Sequence, residues 1–185
     1  MLHCGEVPAE ELAQRFGTPL YVYDIRHIEA RVRRFLDAFS AADPLLAYSV
    51  KANGNLSILR RLRALGCGAD ITSRGELFRS LRAGIPAERT VFAGVGKTAE
   101  EMREALAAGI YSFNVESAGE LERLDQVATD MGVRAPFAVR VNPDVGDGHH
   151  DHVITGGPIA KFGVAASELP EALRIAALHG AVIDG

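Results

Sequence analysis

Long apolar runs are missing from this 185-residue chain, and without a stretch of about 18 apolar residues no membrane span is expected. Cysteine is scarce: Cys4 and Cys67 are the only two, and two isolated thiols fit a reducing cytoplasm better than a disulfide scaffold. An excess of positive charge is also lacking. The net charge of −4 gives no reason to expect a nucleic-acid partner. The N-terminus, Met1-Leu2-His3-Cys4, has neither the charged nor the apolar region of a signal peptide. Tandem repeats and low-complexity segments are absent too. What is present is a globular composition, 48% hydrophobic and 24% charged, able to bury a core in a chain whose length suggests one domain.

Short β-rich runs alternate with longer helical patterns. The strand candidates are Leu45–Val50, Gly68–Ile71, Thr90–Ala93, Ser112–Val115, Pro136–Val141 and Ala181–Ile183. Between them, Leu59, Leu62 and Leu65 share a face at helical spacing, as do Leu77 with Leu81 and Met102 with Leu106. Three helices open on the same signal: Ser73 with Glu76, Thr98 with Glu101, and Ser117 with Glu120. Each pair predicts a capping box, in which a hydroxyl takes one orphan N–H and a carboxylate another. Three such signals, each just after a strand candidate, indicate repeated βα units and hence an α/β fold with a parallel sheet.

A (β/α) barrel places chemistry at the C-terminal ends of many strands. Lys51, Asp70 and Arg140 each end, or nearly end, a strand candidate. An open doubly wound sheet favours a glycine-rich first turn, and no G-x-G-x-x-G follows the first strand. The reading is therefore an incomplete TIM-type barrel of about six βα units, against the eight strands of a closed one. Ending after the sixth strand would leave two strand edges unpaired, so either the chain is a fragment or something else closes the barrel. Ahead of this series, Pro8–Phe16 is a short helix candidate and Leu20–Tyr23 a short strand. Ile25–Phe39 is a longer helix with Ile28, Val32, Phe35 and Phe39 on one stripe.

Four segments can carry chemistry. In Tyr48-Ser49-Val50-Lys51-Ala52-Asn53, a lysine follows an apolar strand directly, although ammonium groups are costly to bury. It reads either as a Schiff-base lysine that condenses with an aldehyde cofactor or as a surface lysine at a strand's end. In Gly66–Leu77, Asp70 can orient or pair with Lys51 or be a simple loop aspartate, and Glu76 can merely cap a helix. Gly94-Val95-Gly96-Lys97-Thr98 ends like a phosphate-binding P-loop, but Val91 stands where that motif needs its first glycine. The residue types suit a turn and a helix N-cap instead. The fourth segment holds Arg140-Val141-Asn142-Pro143, the cluster Asp147-Gly148-His149-His150-Asp151-His152, and then Thr155-Gly156-Gly157-Pro158 and Lys161-Phe162-Gly163. The cluster has metal-donor chemistry, yet neighbours in one loop rarely converge on one ion, so no metal is assigned and a solvated loop is expected. Arg140 can equally be a surface salt-bridge residue.

In order along the chain, these motifs resemble those of the diaminopimelate decarboxylases. Phe16-Gly17-Thr18-Pro19-Leu20-Tyr21-Val22-Tyr23-Asp24 is similar to their opening signature, and Tyr48–Asn53 to their cofactor-lysine motif Y-A-V-K-A-N. Asp70–Leu77 resembles D-x-x-S-x-G-E-L, and Phe92–Thr98 resembles F-x-G-x-G-K-[ST]. Phe113–Ser117, Arg140–Asp144, and Thr155-Gly156 followed by Lys161-Phe162-Gly163 match as well. Seven motifs in the right order are specific where each alone is weak.

The resemblance implies an alanine-racemase-like barrel with pyridoxal 5′-phosphate in its mouth. Lys51 would be the catalytic, cofactor-holding lysine, with Asp70, Glu76 and Arg140 near it and the cofactor. It further implies decarboxylation of meso-diaminopimelate to L-lysine by a cytoplasmic, homodimeric enzyme acting on a small amino acid. Residues 1–24 would be a segment of the family's β-domain and 25–185 a partial barrel domain. Ser49 departs from the usual alanine, and Gly157–Ala160 from the usual spacer, which leaves decarboxylation of another amino acid as an alternative. The family's stacking histidine, glycine-rich phosphate loop and C-terminal β-domain are missing from these 185 residues, so the chain alone is expected to be inactive. A non-catalytic pyridoxal-phosphate-binding barrel and a self-associating half-barrel are the other readings.

Overall fold

The chain opens with an antiparallel ribbon of β1 (His3–Cys4) and β2 (Val7–Pro8), followed by α1 (Ala9–Phe16) and α2 (Ile25–Ala38). This is the computed structural model of the chain, and it describes residues 1–143 and 161–178. The expected strand at Leu20–Tyr23 does not form. A strand needs a neighbour for its N–H and C=O groups, and none of the described strands pairs with this segment. Its side chains stay exposed.

Five strands then lie side by side in sequence order: β3 (Ala47–Ser49), β4 (Gly68–Ile71), β5 (Thr90–Phe92), β6 (Ser112–Val115) and β7 (Phe137–Val139). Every adjacent pair is parallel. The intervening helices are α3 (Leu56–Ala64), α4 (Arg74–Ala83), α5 (Ala99–Ala108) and α6 (Ala118–Met131). After β7 come β8 (Val141–Asn142), β9 (Val164–Ala165), which pairs with it in parallel, and α7 (Leu169–Leu178). Each helix from α2 to α7 packs on the next one in sequence. An unbroken row of helices beside strands in sequence order is the wall of a (β/α) barrel, because a doubly wound sheet carries helices on both faces. Five of the expected βα units lie within the described residues. The sixth strand candidate, Ala181–Ile183, lies outside them.

The sheet's two faces follow from strand periodicity. Ala69, Ile71, Phe92, Phe113, Val115 and Phe137 are buried in one core with Leu59, Leu62, Met102, Leu121 and Leu124 from the helices. Phe92 and Phe113 stack across neighbouring strands with ring centroids 5.9 Å apart. The alternate residues form the concave face. Register places Ser49 opposite Asp70, Asp70 opposite Val91, and Val91 opposite Ser112. These four therefore make one layer across four strands, polar except for Val91.

Two strand candidates end differently from expectation. The first stops at Ser49, where the chain turns into a single 3₁₀ turn, Val50–Ala52. The fifth breaks at Arg140 into β7 and β8. The helix starts also differ in detail. Ser73, Thr98 and Ser117 all cap through their hydroxyls, but only Thr98 with Glu101 closes the reciprocal box. The other two carboxylates reach one residue further back, to the N–H of Thr72 at 2.7 Å and of Glu116 at 3.1 Å.

Candidate active site

Lys51 sits in the 3₁₀ turn at the C-terminal end of β3, exposed to solvent. That turn packs against β4, which carries Asp70, and against α4, which carries Glu76. The structure therefore packs against one another the elements that carry three of the four residues singled out in the sequence. Two residues before Lys51, Ser49 faces Asp70 on the concave side. The Ser49 hydroxyl and Asp70 Oδ1 are both buried, and neither has a hydrogen-bond partner. Buried polar atoms are normally satisfied, so an unmatched donor and an unmatched acceptor beside an accessible amine fit a polar ligand seated above this layer. Glu76 is otherwise engaged: its Oε2 accepts from the N–H and the hydroxyl of Thr72, at 2.7 and 3.2 Å. That bond braces the end of β4 next to Lys51.

Arg140 lies on the opposite side of the concave face. Four strand spacings separate β3 from β7, roughly 19 Å along the sheet before its curl brings the walls closer. Arg140 Nη1 donates to Glu116 Oε1 at 3.0 Å, and its guanidinium lies 5.0 Å from the centre of the Phe162 ring. Glu116 is buried at the end of β6 and also accepts from the N–H groups of Gly94, at 3.2 Å, and Gly163, at 2.9 Å.

Next to it is a second pair. Lys97 is fully buried and spends its ammonium on the carbonyls of Gly94 (2.6 Å) and Asn114 (2.8 Å) and on Glu120 Oε1 (2.6 Å). Sequence reasoning took Lys97 for a turn residue and Glu120 for a helix-capping carboxylate, and gave Glu116 no role of its own. The available signal was a lysine between glycines and a pair of glutamates four residues apart at a helix start, with nothing local to show that they meet.

A groove of about 400 Å³ runs along β3, the outermost of the described strands on that side of the sheet, lined by Val32, Phe35, Tyr48, Ser49 and Cys67 among others. Burial raises the Tyr48 hydroxyl above its ordinary range, with Tyr23 adding to it. Burial likewise raises the Cys67 thiol, against an opposing pull from Arg89, which keeps it protonated and unreactive. Among the described residues no group of His, Cys, Asp or Glu is arranged to hold a metal ion. The Asp147–His152 cluster lies outside them.

Comparison with known proteins shows the family and the fold. Residues 25–183 match the family described as pyridoxal-dependent decarboxylase, pyridoxal binding domain. The chain is similar to the diaminopimelate decarboxylase of Pseudomonas aeruginosa, with 51% identity over 162 residues, 88% of this chain and 39% of that protein. It is 46% identical to the Neisseria meningitidis enzyme over 176 residues, 95% of this chain and 42% of that one. Among solved structures it resembles Helicobacter pylori diaminopimelate decarboxylase complexed with L-lysine, with a TM-score of 0.87 and 40% identity. That match covers 92% of this chain and 43% of the other. Ornithine decarboxylase from Entamoeba histolytica, at 22% identity and a TM-score of 0.75, shares the fold. The chain thus spans about two fifths of the length of the curated relatives it matches.

Proposed function

The chain belongs to the pyridoxal-dependent decarboxylases, and from that premise we propose that it is the cofactor-holding part of an enzyme that decarboxylates meso-diaminopimelate to L-lysine. The observation that carries this reading is the placement of Lys51. Its amine stands accessible at the C-terminal mouth of the sheet, beside the unpartnered Ser49 hydroxyl and Asp70 carboxylate oxygen. Pyridoxal 5′-phosphate, when bound, supplies the electron sink that takes up the electrons left by departing CO₂.

The chain's own residues hold and orient. Lys51 binds the cofactor's aldehyde through its amine. Asp70 accepts and Ser49 donates a hydrogen bond to polar groups seated on the concave layer. Glu76 fixes the backbone at Thr72, so that the strand end facing Lys51 does not drift. Arg140, held from behind by Glu116, presents a cation from the opposite wall. The start of the family match at residue 25 supports reading residues 1–24 as a segment apart from a partial barrel domain, 25–185. Two free thiols, Cys4 and Cys67, support a reducing compartment such as the cytoplasm, and among the described residues no helix is long and apolar enough to cross a membrane. Self-association of the complete enzyme into a homodimer is carried by the family resemblance.

The test is a graft. This chain replaces the corresponding region of the Pseudomonas aeruginosa enzyme, and lysine formation from meso-diaminopimelate is measured. The graft is expected to form lysine, Lys51→Ala in the graft to form none, and the 185-residue chain alone to form none. A Lys51→Ala graft as active as the unsubstituted one sinks the assignment.

A further inference from the structure

Resting on the cofactor reading above, we propose that Glu116 is a positioning residue for the site: it aims the Arg140 guanidinium at an anionic oxygen of the bound cofactor. A carboxylate as buried as Glu116, 2% exposed, is unfavourable unless it is hydrogen-bonded and paired. Glu116 meets that demand with donors from three separate segments. Gly94 follows β5, Arg140 follows β7 and Gly163 precedes β9. All lie at the end of the sheet where Lys51 emerges.

The geometry of the ion pair separates aiming from simple stapling. Both Glu116 oxygens approach the same nitrogen of Arg140, Nη1, at 3.0 and 3.4 Å. A two-nitrogen fork, the usual way to quench a guanidinium with a carboxylate, is not formed. Nη2 and Nε make no hydrogen bond to Glu116. The Phe162 ring lies against the guanidinium, which fixes its plane. A rigid planar cation, 41% exposed and with one edge unspent on its carboxylate, is built to receive an oxyanion.

The neighbouring pair supports the carboxylate. The Glu116 N–H donates to Glu120 Oε2, whose other oxygen is paired with Lys97. Lys97 also holds the carbonyl of Gly94, the residue whose N–H reaches Glu116. Gly94 has φ +98°, a conformation that glycine adopts without strain, so its N–H and C=O can serve the two charges at once.

The test titrates pyridoxal 5′-phosphate into the chain, followed by visible absorbance, borohydride reduction and peptide mapping to Lys51. Glu116→Gln and Arg140→Ala are each expected to weaken loading of Lys51 about tenfold, the size of one charge-assisted hydrogen bond. The double variant should be no weaker than Arg140→Ala alone, because Glu116 acts through Arg140. Repeating the titration with pyridoxal, which keeps the ring oxygen and lacks the phosphate, tells which oxygen is served. The Arg140→Ala penalty vanishes if it is the phosphate and persists if it is the ring oxygen.

A second readout needs no cofactor. Glu116→Gln should speed amide hydrogen exchange at Gly94 and Gly163, while Arg140→Ala leaves both protected. Penalties that multiply in the double variant, or normal loading by Glu116→Gln, overturn the proposal. If Glu116→Gln fails to fold, Arg140→Lys decides: a lysine lacks the planar fork and should load poorly, and wild-type loading overturns the proposal. Failure of the cofactor reading looks different, since the unsubstituted chain and every variant would then leave Lys51 unmodified alike, and the inference falls with it.

Discussion

Replacing Lys97 by methionine removes a buried cation while keeping most of its volume, and its cost follows from the contacts. The ammonium has no solvent exposure and bonds two main-chain carbonyls and one carboxylate. Methionine cannot donate to any of them. Glu120 stays buried without its cation, and Gly94 and Asn114 lose a donor. Removing one partner of a buried ion pair costs about 3–5 kcal/mol, most of it from the charge left behind. At about 2–4 °C per kcal/mol for a chain of this size, the midpoint of thermal unfolding should fall by roughly 6–20 °C. Urea unfolding followed by circular dichroism gives the free energy directly, and Lys97→Met with Glu120→Gln should recover part of the loss because no unpaired charge remains. A single variant costing less than about 1 kcal/mol, the range of an exposed pair, would show that Lys97 reaches water and would refute the buried arrangement.

Four further outcomes are expected. Gly68→Ala should abolish folding, seen as loss of the cooperative unfolding transition, because a β-carbon there would stand 2.0 Å from the main-chain oxygen of Arg89. Gly163→Ala should cost at least ~1 kcal/mol in urea unfolding, since φ is +76° and the added carbon would come within 3.0 Å of Arg140 and Asn142 main-chain atoms. Phe113→Ala, which empties a fully buried site in the sheet–helix core, should cost about 3–5 kcal/mol by the same assay. Thr98→Ala should cost about 1 kcal/mol by opening the capping box that Thr98 closes with Glu101. That box also carries a pH dependence. Burial pushes Glu101 upward, but hydrogen bonds from Thr98 and the Arg74 N–H outweigh it and leave the carboxyl below its usual range. Its contribution is therefore fully present above the unfolded carboxylate pKa, about 4.3, and lost as pH falls through the lower folded value. In the Thr98→Ala chain this part of the acid sensitivity should shrink.

Much of the barrel wall is written in local signals. Gly68–Ile71 and Ser112–Val115 form strands with the bounds expected from composition, and each hydroxyl expected to cap a helix does so. Lys51 stands out in sequence because a lysine ends an apolar run, and the fold puts Asp70 and Glu76 next to its turn. What escaped is non-local. Lys97 reads as a turn residue because Glu120 lies 23 positions away, and Glu116 looks like the end of a strand because its donors come from three other segments. Leu20–Tyr23 has the composition of a strand, but composition does not supply a partner. Ser73 with Glu76 and Ser117 with Glu120 show the limit of a spacing rule: the hydroxyl caps as expected, while the carboxylate goes to the N–H one residue further back.

The central claim is that Lys51 is the residue that takes pyridoxal 5′-phosphate. The most direct measurement is borohydride reduction of the cofactor-treated chain at limiting cofactor, followed by peptide mass spectrometry. Modification concentrated on Lys51, and lost from the peptide map in Lys51→Arg with no other lysine taking its place, is the expected result. Adducts spread over Lys51 and Lys161 in proportion to exposure, or none at all, would contradict it.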